Sequence, residues 1–261
     1  MYGHLVRYEL DEQGVAFVTL DDPDTRNALG DELLDELLAA LTQAKSDDGV
    51  RVVVLRSSHE RVFSSGGNLK AFADGQPTIA KYAGLERFPR LYALLAALGK
   101  PVICAANGDV LAGAFGIALA CDLIIAKEST RFGCPEINVG AFPFMISALI
   151  YRSIGRMKAN ELMFLGDLIS ADAGRELGFV NTVVPDEQFD ATVRDWAHRV
   201  ATKSPLLLRL GKNAIDITRD LPLERALAVM QAQLALAFTT DDLVEGVTAF
   251  REKRPPHWTM R

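Results

Sequence analysis

Residues 101–126 read PVICAANGDVLAGAFGIALACDLIIA. The unbroken apolar run at the start, PVICAAN (101–107), has the character of a strand covered on both faces. Gly108-Asp109 turns the chain into a small-residue segment, LAGAFGIALAC, which opens a helix. Asp122 to Ala126 then returns as another core strand. Strand, helix and strand in so short a span are what a right-handed βαβ crossover in a parallel sheet requires.

The same alternation continues outward in both directions. Upstream, RVVVLR (51–56) is a β-branched strand, followed by a long loop, SSHERVFSSGGNLKAF, and a helix over about Thr78 to Leu98 that Gly99-Lys100-Pro101 stops. Further back, Leu5 to Leu10 and Val15 to Leu20 flank Asp11-Glu12-Gln13-Gly14 and read as a hairpin. The polar loop DDPDTRNALGD then feeds a helix whose Leu33, Leu34, Leu37, Leu38 and Leu41 share one face. Downstream, a short strand is expected around Thr130 to Phe132 and another within Phe179 to Val184. Helical patterns cover roughly 187–202, 206–219, 222–238 and 241–252. The expected organisation is an α/β core over 1–190 and a helical region over 191–261.

Composition narrows the function classes. The chain has 261 residues, is 49% apolar and 24% charged, and carries a net charge of −6, which fits a soluble globular protein with a full core. A mildly acidic chain with no basic block is a poor partner for nucleic acid or an anionic membrane. The three cysteines, Cys104, Cys121 and Cys134, form no CxxC and sit among apolar residues, so a reducing cytoplasm fits best. No signal peptide and no membrane span are expected.

Several chemistries have no motif here. There is no Gly-x-Ser-x-Gly elbow and no phosphate loop. His4, His198 and His257 suit surface or structural roles, His59 is a weak site candidate, and no pair has metal-ligand spacing, so no metal is expected. Two glycine features remain. Ser64-Ser65-Gly66-Gly67-Asn68-Leu69 lies beyond strand 51–56, and Leu111-Ala112-Gly113-Ala114-Phe115-Gly116 lies beyond strand 101–107. Open α/β sheets place ligands at such positions. Glycine there lets a ligand approach the backbone, and a helix N-terminus favours developing negative charge. Two N–H groups aimed at one oxygen would form an oxyanion hole, although either cluster alone also reads as a plain turn. Glu136 follows Pro135 and precedes the apolar run INVGAFPFMI. Such surroundings raise a carboxyl pKa and suit a general acid/base; a surface glutamate at a turn is the competing reading.

Taken together these segments resemble the enoyl-CoA hydratase/isomerase (crotonase) superfamily. The resemblance runs through Pro23-x-x-Arg26-Asn27-Ala28-Leu29, Phe63 to Leu69, Lys100 to Gly108, Ala120 to Ala126, Phe132-Gly133-x-Pro135-Glu136, Gly166-Asp167-x-Ile169-Ser170-Ala171, and Glu245 to Pro256. It implies a crotonase-like ββα spiral with C-terminal helices, assembled as a homotrimer or a dimer of trimers. It implies an acyl-CoA thioester as substrate, with coenzyme A as part of that substrate and no separate cofactor. By position, Gly67 and Gly113 carry the N–H groups that receive the thioester oxygen, and Glu136 is the acid/base. Arg26, Asn27, Ala28, Ser65, Gly66, Asn68, Leu69, Phe250 and Lys253 match positions that contact coenzyme A, the last two often from a neighbouring subunit.

Two departures bear on the reaction. Hydratases of the family hold one water between two glutamates, and the position of the first is Gly116 here. One carboxylate suffices to move a proton between two carbons, so double-bond isomerisation is favoured over efficient hydration. The alternatives are a hydratase in which Asp109 or Asn68 supplies the second polar group, and a weakly active acyl-CoA-binding protein. Thioester hydrolysis, decarboxylation and C–C cleavage share the same enolate and have no signature here. The second departure is Ala141-Phe142-Pro143-Phe144-Met145, where relatives have a glycine-rich turn. Phe144 and Met145 would narrow the acyl end, or else join the core of the following helix.

Overall fold

The computed structural model describes residues 4–67, 79 and 84–261. Strands β1 (Val6–Leu10) and β2 (Val15–Leu20) form the expected hairpin, with Val6 opposite Leu20 and Leu10 opposite Ala16. Helix α1 (Asp31–Ser46) buries Leu33, Leu34, Leu37, Leu38 and Leu41, the face its periodicity predicts. After it the chain repeats one unit. A long strand enters one sheet, a three-residue strand enters a second sheet, and a helix returns. The pairs are β3 (Val52–Ser57) with β4 (Val62–Ser64), β5 (Val102–Ala106) with β6 (Asp109–Leu111), and β7 (Leu123–Lys127) with β8 (Arg131–Gly133). Helices α2 (Arg87–Ala96) and α3 (Gly113–Ala120) separate them.

The first sheet has the order β1-β2-β3-β5-β7-β10, with β10 at Thr182–Val184, and is parallel beyond the hairpin. The second has the order β4-β6-β8-β9, with β9 (Leu168–Ser170) antiparallel to β8. This is a ββα spiral. Its second sheet departs from the sequence reading, which took 62–64 and 109–111 for loop and turn. Three-residue strands are too short to carry an alternation signal.

Helices α4 (Phe144–Ser153), α5 (Arg156–Leu165) and α6 (Ala171–Glu176) cover the far end of the spiral, and α7 (Phe189–Ala201), α8 (Pro205–Thr218), α9 (Leu223–Ala237) and α10 (Asp241–Glu252) follow. The main core lies on the α1 side of the first sheet, and Phe115, Phe132 and Phe179 meet there at ring separations of 5.3 to 5.7 Å. A smaller core on the opposite face packs Phe189, Val193 and Ala197 of α7 against Val15, Phe17, Val54 and Ile103. The first helix of the 191–261 region is therefore a layer of the α/β core. Among the described residues, no helix is long and apolar enough to cross a membrane.

Candidate active site

Two backbone loops meet at the end of the second sheet. Gly66 has φ +87°, and a Cβ on it would stand 2.5 Å from Ala112 Cβ and 2.8 Å from the Leu111 carbonyl oxygen. Only glycine allows that approach. The first loop is tied from the other side by Leu29, whose N–H donates to the Gly66 carbonyl at 2.8 Å and which pairs with Gly67 in a parallel bridge. In the second loop the Ala112 N–H donates to the Gly133 carbonyl at 2.9 Å, and Ala112 itself adopts φ 52°, ψ −128°. A non-glycine residue there carries strain of about 1–3 kcal/mol, and the twist turns the next peptide, which bears the Gly113 N–H at the start of α3. Neither the Gly67 nor the Gly113 N–H has a hydrogen-bond acceptor among the described residues. The structure thus brings the two predicted donor loops into van der Waals contact and leaves both N–H groups available.

Glu136 is the second residue of a short 3₁₀ helix, Pro135–Val139, that follows β8. Its side chain is half-buried, and its Oε2 is buried with no hydrogen-bond partner among the described residues. Burial raises its pKa above the ordinary glutamate value, against a smaller opposing pull from its own backbone N–H. Its charge also helps burial to push the Cys134 thiol upward. An unpartnered carboxylate oxygen in partly apolar surroundings is available to take a proton from a ligand.

The opposite wall is made by Gly116, Tyr92 and Ile146. A Cβ on Gly116 would lie 2.5 Å from Ile146 Cγ2 and 2.6 Å from the Tyr92 hydroxyl oxygen. That hydroxyl donates to the Gly113 carbonyl at 3.2 Å. Burial, and then the charge on Glu136, push the Tyr92 pKa above its ordinary range, so the phenol stays protonated.

Other predicted residues fall into place unevenly. Asn27 is wholly buried. Its Oδ1 accepts from the Asp22 N–H at 2.8 Å, and its Nδ2 donates to Ser57 Oγ at 2.7 Å and the Phe63 carbonyl at 3.0 Å. The side chain of Asn27 is thus committed to holding the loop that carries exposed Arg26 and half-buried Ala28. Ser65 donates its N–H to the Arg26 carbonyl at 3.0 Å, joining that loop to the glycine pair. Asn68 and Leu69 lie outside the described residues, as do residues 78 and 80–83 at the start of the expected Thr78 to Leu98 helix. Phe250, 85% exposed, and Lys253, at the C-cap of α10, have no hydrogen bond or ion pair with the glycine loops among the described residues.

Some expectations are corrected. Asp109 does not supply a second polar group, because both its oxygens are held by Arg131, one at 3.0 Å and the other at 2.5 Å. His59 is a turn residue whose Nδ1 accepts from the Arg61 and Val62 N–H groups. Phe144 does not join the core: it is 77% exposed and its ring packs 5.1 Å from that of Phe142. Ile146, two residues on, is the one that turns inward. His4, Glu32 and Glu36 do come together at ligating distance, but Glu36 is already spent on the Leu5 and Val6 N–H groups. A cavity of about 600 Å³ lies elsewhere, on the α7 face of the first sheet near Phe17, Arg56 and Arg194, and none of the predicted site residues lines it.

The family model for enoyl-CoA hydratase/isomerase matches residues 11–261. The chain belongs to this family. It is 33% identical over 251 residues to 2,3-dehydroadipyl-CoA hydratase of Escherichia coli, covering 96% of this chain and 97% of that one. It is 32% identical to crotonyl-CoA hydratase of Syntrophomonas wolfei, covering 96% of each. An enoyl-CoA hydratase crystal structure from Mycobacterium smegmatis superimposes with a TM-score of 0.94 at 30% identity, covering 97% of this chain and 98% of that one. The spiral is therefore the crotonase fold, and the protein is an acyl-CoA enzyme of the family. Sequence reading singled out both glycine loops and Glu136, and the structure sets the Gly66 and Ala112 backbones against each other. The same reading missed Tyr92 and Ile146, which sit in ordinary amphipathic helices and carry no motif.

Proposed function

We propose that this enzyme forms an enolate from an acyl-CoA thioester and moves a double bond along the acyl chain in preference to adding water. The thioester oxygen lies between the Gly67 and Gly113 N–H groups. Glu136 takes a proton from the carbon next to the thioester, and the electron pair moves onto that oxygen. Glu136 then returns the proton two carbons further along, so a 3-enoyl chain becomes a 2-enoyl chain with no net gain or loss of atoms. The amide donors gain most when the oxygen becomes negative, so they stabilise the transition state more than the bound substrate. Coenzyme A is held by the Arg26–Ala28 loop and the Ser65–Leu69 segment. In a homotrimer or dimer of trimers, Phe250 and Lys253 would add contacts from a neighbouring subunit.

The observation that carries this reading is Glu136, the one buried carboxylate oxygen without a partner among the described residues, together with a glycine at residue 116. The curated relatives named as hydratases favour a second reading, in which Glu136 adds water with help from another polar group. A panel of 2-enoyl- and 3-enoyl-CoA thioesters, followed by thioester absorbance and deuterium uptake from solvent, separates the two. Isomerisation and exchange should exceed hydration, and Glu136→Gln should bind the thioester but abolish both. Binding without turnover across the panel would make the protein an acyl-CoA-binding module. Full activity in Glu136→Gln would remove the role given to that residue.

A further inference from the structure

The second wall of the site is built differently from its first, and the difference assigns a role to Tyr92. Residue 116 lies one turn into α3 after the Gly113 donor. Its missing side chain leaves no void, because the Tyr92 hydroxyl oxygen and Ile146 Cγ2 both stand closer than 3.0 Å to the position a Cβ would take. Real Cβ atoms do not tolerate contacts that short. A side chain at 116 and the Tyr92 phenol in its present position therefore exclude each other: one would enter only if the ring or Ile146 moved aside. The phenol is also fixed, at its tip by the bond to the Gly113 carbonyl and along its ring by Phe88, at a centroid separation of 6.3 Å. Its oxygen shares the neighbourhood of Glu136, whose charge reaches it.

We propose that Tyr92 is the specificity-determining residue of this site: its phenol fills the space of a side chain at residue 116 and leaves Glu136 as the one proton acceptor there among the described residues. A phenol that stays protonated cannot serve as a base for water, and its bulk, with that of Ile146, takes the room in which a second acceptor would hold that water. The bound acyl chain then meets one proton-transferring group, which favours passage of the same proton between two carbons. This inference rests on the single-carboxylate reading above.

The test measures isomerisation and hydration side by side in five proteins. Wild type should isomerise 3-enoyl-CoA faster than it hydrates 2-enoyl-CoA. Tyr92→Phe keeps the ring and should keep that ratio within about threefold. Tyr92→Ala opens the wall and should shift the ratio at least tenfold toward hydration. Gly116→Glu alone should lose activity or fold poorly, because its side chain meets Tyr92 and Ile146. Gly116→Glu combined with Tyr92→Ala and Ile146→Ala should recover folding and hydrate at least tenfold faster than wild type. The inference is overturned if Tyr92→Ala, folded by circular dichroism, leaves the ratio unchanged, or if wild type hydrates as fast as it isomerises. Glu136→Gln separates this from the broader reading: if that variant stays active, the single-carboxylate reading fails, whatever Tyr92 does.

Discussion

The two halves of the site obey different rules. The amide half, Gly66-Gly67 against Ala112-Gly113, is backbone held by backbone. Its geometry is fixed by a positive φ at Gly66, a strained turn at Ala112 and the ties from Leu29 and Gly133. The side-chain half, Glu136 against Tyr92 and Gly116, is set by which side chains stand on three separate elements. A backbone donor pair cannot be altered without disturbing the fold. A wall of side chains can change with little disturbance to it. Under the proposed reaction the first half would stabilise an enolate whatever the substrate, and the second would decide what becomes of it.

That contrast can be broken most directly at Glu136. Glu136→Gln should lower kcat by about 10³-fold or more, toward the upper end of what a general acid/base supplies, while KM changes little. In the active enzyme the acid limb of kcat/KM should lie above the ordinary glutamate pKa of 4.5, because burial raises this carboxyl. A limb at or below that value would show that this carboxyl is well solvated in the free enzyme.

The next largest effect belongs to the amide half. Gly66→Ala forces a Cβ into Ala112 and the Leu111 carbonyl at a positive φ. We expect a loss of about 2–4 kcal/mol in denaturant unfolding, and about 10²–10³ in kcat as the first donor moves. If only stability fell, the donor geometry would not depend on that contact.

Asn27→Ala tests the support of both halves from behind. It strands the Asp22 N–H and the Phe63 carbonyl inside the protein, so about 2–4 kcal/mol of stability should go. KM for the CoA thioester should rise more than kcat falls, because the variant loosens the 26–28 loop and leaves Glu136 in place.

The smallest effect is a change of stability with pH. Folding raises the Glu136 pKa, so the folded state binds that proton more tightly than the unfolded chain does. The resulting cost is absent below the ordinary value, grows as pH rises through the interval up to the raised value, and persists above it. Glu136→Gln cannot ionise. It should therefore melt higher than wild type near pH 8 and at the same temperature near pH 4.

How much of this was legible in the sequence follows the same division. The long strands and α1 announce themselves by apolar runs and by the Leu33–Leu41 face. The glycine loops are visible because few residues other than glycine serve there, and Glu136 because a carboxylate in an apolar run is conspicuous. Strands β4, β6 and β9 were hidden because three residues cannot display a period and, unlike the equally short β8 and β10, they lie in stretches that read as loop, turn or helix. Tyr92 was hidden for another reason. Nothing in RFPRLYALLA marks one ring of an amphipathic helix as the neighbour of a glycine 24 positions later. A missing side chain can be read from sequence, but the group that fills its place has to be seen in three dimensions.

Helix α9 buries none of its residues in this chain, and Leu223, Leu227, Leu234 and Phe238 stand in water along or just beyond it. Under the proposed homotrimeric or hexameric assembly, covering that ridge makes concentration a thermodynamic variable for the whole molecule. Diluting the sample should lower its melting temperature through mass action alone. Activity assays run at nanomolar enzyme would then sample a different population from the one studied at micromolar concentration.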